Sequence, residues 1–181
     1  MEAKAILFHS NKKAECKKFV ENENYLIISE NSKDNIWLGK GMYFWDNKGN
    51  ARWWHNKQKE RNTNEEYAIT VANVKLDELL DLTDYDVYTT LDKLWSILCN
   101  NSKAKLDMQL GNKLNVLFEY NGFIKKYAII KIYGKYNATP NKGFFQYDCY
   151  SPKAEPTIAI KCIYNVKDVR CICQKEMEEE E

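Results

Sequence analysis

Apolar residues recur along the chain with two periods, and the period assigns the elements. Residues 5–9 read as a first strand. Residues 12–22 read as a helix with Ala14, Phe19 and Val20 on its apolar face and Ser10 or Asn11 placed to cap it. Residues 25–29 are expected to form a strand and 31–35 a polar turn. A strand over 41–46, a turn over 47–50 and a helix over 51–60 follow, with Trp53 and Trp54 in the first turns of that helix. The run 67–74 is rich in β-branched residues and reads as a strand, with a short turn or helix over 77–80. Leu91, Leu94, Trp95 and Leu98 repeat at three and four and predict a helix over 91–99, and a second helix is expected over 113–120. Strands at 128–133, 157–163 and 169–173 close the pattern. Strand, helix and strand, then a helical stretch, then strands predict an α+β domain.

Composition narrows the class. A chain of 181 residues with three prolines, seven glycines and no internal repeat shows no domain boundary, so residues 1–181 are expected to be one domain. Apolar content of 44% with 29% charged residues is that of a soluble globular protein. No apolar run approaches the roughly 18 residues of a membrane span, and the first residues are too quickly polar for a secretion signal; a cytoplasmic protein with no membrane partner is expected. The net charge of +1 gives no global pull towards nucleic acid. Lys12-Lys13, Lys17-Lys18 and Lys125-Lys126 read as solvated faces, and the acidic run 176–181 as a solvated end. Six cysteines form no C-x-x-C and only two histidines accompany them, which argues against a metal site. They read as buried or half-buried thiols, with Cys171 and Cys173 on one side of a strand.

The chemistry concentrates in Trp37-Leu38-Gly39-Lys40-Gly41-Met42-Tyr43-Phe44-Trp45-Asp46, a glycine-punctuated turn running into an aromatic strand. His9 lies upstream in Leu7-Phe8-His9-Ser10, and Trp54 downstream in Ala51-Arg52-Trp53-Trp54. A histidine and two rings in this order suggest a slot for a flat, polar aromatic ring such as nicotinamide. No Gly-x-Gly-x-x-Gly joins an early strand to a helix, so a Rossmann oxidoreductase is disfavoured.

On these residues the chain resembles the ADP-ribosyltransferase superfamily, in its poly(ADP-ribose)-polymerase-like, diphtheria-toxin-like branch. His9 matches the histidine ending the family's first strand, and Gly39-Lys40-Gly41-Met42-Tyr43-Phe44 matches its Gly-x-Gly-x-Tyr-Phe strand. Ala51 and Trp54 match a small residue and a ring-stacking residue on the helix that follows, and Asp46 a common acidic position. The likeness covers residues 5–82 and returns over 151–166, leaving 83–150 as a divergent, helical insert suited to target recognition. It implies a split β-sheet core with flanking helices, in the compact form of bacterial or phage toxin and defence proteins.

What the resemblance implies chemically is cleavage of the nicotinamide–ribose bond of NAD and transfer of ADP-ribose to a nucleophile, with NAD as co-substrate and no metal. The transition state resembles that of glycoside cleavage, with positive charge on the ribose. Tyr43 and Trp54 would sandwich nicotinamide; each also reads as an ordinary core aromatic. His9 would donate to a hydroxyl of the adenosine-side ribose. Ser10 stands where the family has glycine, with its backbone available to the nicotinamide amide. Gly41 allows close approach and Ala51 is the small residue that the resemblance places in the cofactor site, while His55 has no motif match and reads as surface. Thr157-Ile158-Ala159-Ile160 aligns with the family's glutamate-led strand, so the third catalytic role falls to Thr157 or to Glu155. In either case chain elongation is disfavoured.

The function implied is mono-ADP-ribosyl transfer to a protein or nucleic-acid acceptor by a toxin or phage-defence effector, held in check by an antitoxin or immunity protein. The alternatives are a catalytically inactive NAD- or ligand-binding module and an NAD glycohydrolase. Tyr120, Phe123, Lys125, Lys126 and Tyr127 interleave rings and bases as single-stranded nucleic-acid binders do, although core rings with snorkelling lysines account for the pattern equally.

Overall fold

The computed structural model describes residues 3–29, 37–101, 108–120, 124–136 and 157–179. The elements run β1 (Lys4–Lys12), α1 (Lys13–Glu21), β2 (Met42–Trp45), α2 (Lys48–Arg61), β3 (Tyr67–Lys75), β4 (Leu79–Asp81), α3 (Tyr85–Asn100), α4 (Leu110–Tyr120), β5 (Ile129–Lys135), β6 (Ile160–Val166) and β7 (Ile172–Met177). The seven strands form one sheet in the order β4-β5-β6-β2-β1-β3-β7. Among the described residues β4 and β5 form the only parallel pair, and the other pairings are antiparallel. The class is α+β.

Strand alternation divides the core between the two sheet faces. Leu7, Met42, Phe44, Cys162, Tyr164 and Val166 pack on one face with Phe19 of α1. Trp45, Ile69, Ile130 and Ile163 pack on the other with Ala51, Trp95, Leu114 and Leu117 of α2, α3 and α4.

The differences from the sequence expectation have local causes. β1 runs on to Lys12 because its ladder with β3 continues to the Lys12–Tyr67 pair. Helix α1 therefore starts at Lys13 with no side-chain cap, and neither Ser10 nor Asn11 caps it. Residues 25–29 join no ladder; Ser29 N–H donates to the Gly41 carbonyl. The expected turn over 31–35 lies outside the described residues. Asn47 caps α2 by accepting from Asn50 N–H, so the helix begins at Lys48 rather than at Ala51. The expected turn or helix near 77–80 ends as the short strand β4 beside β5. Within 83–150 the strand expected at 128–133 appears as β5, flanked on both sides by β4 and β6. Strand β6 starts at Ile160, leaving Thr157 ahead of it. A 3-10 turn over Val169–Cys171 precedes β7, so Cys171 is buried while Cys173 is exposed, and the two do not share a side. Cys149 lies outside the described residues.

The junction of β1 and β2 positions the site. The two strands share a single register pair, Phe8 with Trp45, whereas β1 and β3 pair along their whole length. Beyond Phe8 the strands part, and the gap is a cleft in the sheet.

Candidate functional site

A cavity of about 250 Å³ opens where β1 and β2 separate. His9, Ser10 and Asn11 come from β1, Tyr43 and Trp45 from β2, and Trp54 and Gln58 from α2. Its wall includes Ile27 and Phe44 from one core face and Ile163 from the other, so it passes between both faces of the sheet.

His9 is fixed at both ring nitrogens. A main-chain carbonyl only accepts, so the 2.5 Å contact between His9 Nδ1 and the Tyr43 oxygen places the proton on Nδ1. Nε2 accepts from Asn11 Nδ2 at 3.4 Å, two residues along the same strand face. Burial pushes the His9 pKa down to about 4 against the opposing pull of the Tyr43 carbonyl, so the ring is neutral at physiological pH. Nε2 is therefore an acceptor. A ribose hydroxyl meeting it would donate to the histidine, the reverse of the polarity that the resemblance implies.

Tyr43 is locked through its hydroxyl, which donates to the Gly39 carbonyl at 2.7 Å and accepts from Leu38 N–H at 3.1 Å. The glycine turn is held from three sides. Asn115 Oδ1 accepts from Lys40 N–H at 3.0 Å. Lys167 Nζ donates to the Leu38 carbonyl at 2.6 Å and to that of Lys40. Asn165 lies against Gly41, whose φ of +149° suits glycine, and a Cβ there would stand 2.3 Å from Asn165 Oδ1. Burial pushes the Lys167 pKa down to about 7.

Ser10 does not point its hydroxyl freely into the cavity. Oγ donates to Gln58 Oε1 at 2.7 Å and lies 3.2 Å from His55 Nδ1, which then acts as the donor. His55 is thus a half-buried partner of the site, packed edge-on against Tyr67, rather than a surface residue. Trp54 is half-buried in the cavity wall, with the Arg61 guanidinium 5.3 Å from its ring centroid.

The structure brings His9, Ser10, Tyr43 and Trp54 to one cavity. It does not bring Gly41 or Ala51 to the wall: Gly41 shapes the turn beneath Tyr43, and Ala51 is fully buried on the inner side of α2. Thr157 is not among the lining residues either; its Oγ1 accepts from Ala159 N–H at 3.0 Å in the turn before β6. Glu155 and Phe123 lie outside the described residues. Lys126 Nζ sits 4.9 Å from the Tyr127 ring centroid. Asp46 is exposed and accepts from Asn47 and Asn50 side chains.

Among the wall residues that sequence reasoning missed are Asn11, Gln58 and Tyr136. Asn11 follows His9 at the strand period, and Gln58 follows Trp54 at i+4, so both were legible as neighbours. Tyr136 was not: it stacks on Trp37 at 5.6 Å and meets Trp45 and Trp53, contacts made across the fold. Among the described residues no group of acidic, cysteine or histidine side chains is arranged to hold a metal ion, and no helix is long and apolar enough to cross a membrane.

No family model matches the chain, and no solved structure matches it. The chain is similar to an uncharacterized protein of Methanocaldococcus jannaschii, 28% identical over 137 residues that cover 69% of this chain and 62% of that protein. The chain therefore matches less than two thirds of that relative's length.

Proposed function

We propose that the chain is an NAD-dependent mono-ADP-ribosyltransferase with an ADP-ribosyltransferase-like fold, acting on a protein or nucleic-acid acceptor as a toxin or defence effector that a partner protein neutralises. The observation that carries this reading is the joint presence of His9, Tyr43 and Trp54 on one cavity, in the chain order of the resemblance. The volume suits a pyridine ring and its ribose, with the rest of the dinucleotide lying along the surface. An aromatic wall favours a cationic pyridinium by stacking and by cation–π attraction.

In the proposed reaction the bond between ribose C1′ and the pyridinium nitrogen breaks, and its electron pair leaves with neutral nicotinamide. The acceptor's nucleophile forms the new bond to C1′, and its proton passes to a base or to water. Tyr43 and Trp54 hold the leaving ring, and a ribose hydroxyl that takes the place of the Asn11 amide donates to the single lone pair of His9 Nε2, so that binding geometry supplies part of the barrier reduction. The third role in this proposal stays with Glu155 or Thr157, of which Thr157 is not among the described lining residues. Incubation with NAD labelled in its ADP-ribose part, alongside separate protein, RNA and DNA fractions, tests the proposal. Label is expected on one of the fractions. Free ADP-ribose alone would make the chain a glycohydrolase, and no nicotinamide release would overturn the enzyme reading.

One observation favours a binding module instead: among the described residues no carboxylate lines the cavity. NAD binding without turnover, unchanged by Glu155→Gln, would establish that reading.

A further inference from the structure

We infer that Gln58 is the specificity-determining residue that reads the substituent of the ring bound in the cavity, selecting a ring that carries a carbonyl oxygen. The inference rests on the proposed function, because it takes that ring to be the nicotinamide of NAD.

The geometry starts on α2. Trp54 and Gln58 are one helical turn apart, so their side chains are neighbours on the same helix face, and both line the cavity. A flat ring stacked on Trp54 therefore has Gln58 beside its edge. What Gln58 offers there is set by Ser10. The Ser10 hydroxyl donates to Oε1 at 2.7 Å, which fixes the amide's orientation and uses its oxygen. Among the described residues the amide nitrogen has no hydrogen-bond partner, which leaves its two N–H donors to a ligand. The neighbouring polar groups are already engaged: Asn11 Nδ2 faces His9 Nε2, and Ser10 Oγ lies between Gln58 and His55 Nδ1. Gln58 thus brings an oriented donor to the edge of the slot, and a donor is matched by a carbonyl oxygen on the ring. A ring without one would leave that donor unpaired in a partly desolvated site, which is a costly arrangement.

This also gives Ser10 a purpose. A glycine at that position would leave the Gln58 amide without its anchor, and either end of the amide would be free to face the ring.

The test compares binding of three dinucleotides to the full chain: NAD, its 3-acetylpyridine analogue, which keeps the carbonyl but has no amide N–H, and an analogue with no ring substituent. The wild type is expected to bind NAD and the acetylpyridine analogue about tenfold or more tightly than the unsubstituted one, the scale of one hydrogen bond. Gln58→Leu is expected to abolish that preference, bringing the three ligands within about twofold of one another. Gln58→Glu keeps the acceptor for Ser10 and the side-chain volume but removes both N–H donors, so it is expected to lose the same preference even if the leucine variant folds poorly. Equal weakening of all three ligands, or an unchanged preference in both variants, would overturn the role of Gln58 while leaving the proposed function standing. Failure of the wild type to bind any of the three would overturn the proposed function and this inference with it.

Discussion

His9 donates its Nδ1 proton to the main-chain oxygen of Tyr43 at 2.5 Å, at the place where the strands carrying the two residues stop pairing. A backbone acceptor that a regular ladder would satisfy is satisfied by a side chain instead. The imidazole therefore holds the cleft open and sets the tautomer that faces it.

Acid should weaken the fold through this histidine. Its folded pKa of about 4 lies below the ordinary 6.5, so the stabilisation is present above pH 6.5 and is lost as pH falls through 4. The full difference is at most about 3.5 kcal/mol, from roughly 1.4 kcal/mol per unit. Urea midpoints measured at several values between pH 7 and pH 4 are expected to fall more steeply for the wild type than for His9→Gln. Parallel curves would show that His9 is not the group titrating.

Tyr43 separates structure from binding. Tyr43→Phe removes the bonds to Gly39 and Leu38 but keeps the ring, so a loss of about 1–2 kcal/mol in stability is expected and, on the proposed function, NAD turnover is largely kept. Tyr43→Ala is expected to abolish turnover, because the ring itself is gone. Thermal melting and nicotinamide release measured on both variants check this, and equal turnover in the two would remove Tyr43 from the slot.

Elements with strong periodicity were legible in the sequence: the β-branched strand around Val71, the helix around Trp95 and the aromatic strand at Tyr43 appear where the pattern puts them. Their ends were less so, because a partner strand or a cap decides them. β1 extends to Lys12 on account of β3, and α2 starts early on account of Asn47. The site was legible where a motif marked it, at His9, Ser10, Tyr43 and Trp54. Tyr136 and Lys167 were not, since their contacts with Trp37 and with the Leu38 carbonyl join residues far apart in the chain. Ala51 packs in the core and does not line the cavity, since a small residue at that helix position serves equally for burial against the sheet.

Gly41 should not accept even a methyl group. Alanine there meets Asn165 Oδ1 at 2.3 Å, and the φ of +149° adds backbone strain. Gly41→Ala is expected to cost about 2 kcal/mol or more in chemical denaturation. Because the displaced residue lies two positions before Tyr43, a loss of NAD affinity is expected alongside. A stable variant with unaltered affinity would show that the turn is not what positions the tyrosine.

Lys167 offers a test of the turn by pH. Its amine bonds the carbonyls of Leu38 and Lys40 and lies 5.4 Å from the Phe118 ring centroid, in surroundings that hold its pKa near 7. A neutral amine still has two N–H donors, enough for both carbonyls, so losing the charge does not release the turn. Below pH 7 the folded chain must bury an ammonium; between 7 and the ordinary 10.5 the unfolded chain binds the proton that the folded chain has lost. Lys167 therefore adds stability as pH rises across that window and withdraws it as pH falls towards 7, with a slope of at most about 1.4 kcal/mol per unit. Other groups oppose the trend at its upper end, since burial raises the Cys16 thiol to about 11 and leaves it protonated where the unfolded thiol ionises. The comparison that isolates the lysine is with Lys167→Met, which keeps the apolar length and removes the amine. The stability difference in favour of the wild type is expected to widen from pH 7 to pH 9.5. A difference that is constant across that range would mean that the amine is solvated and charged, and that Asn115 and Asn165 hold the turn without it.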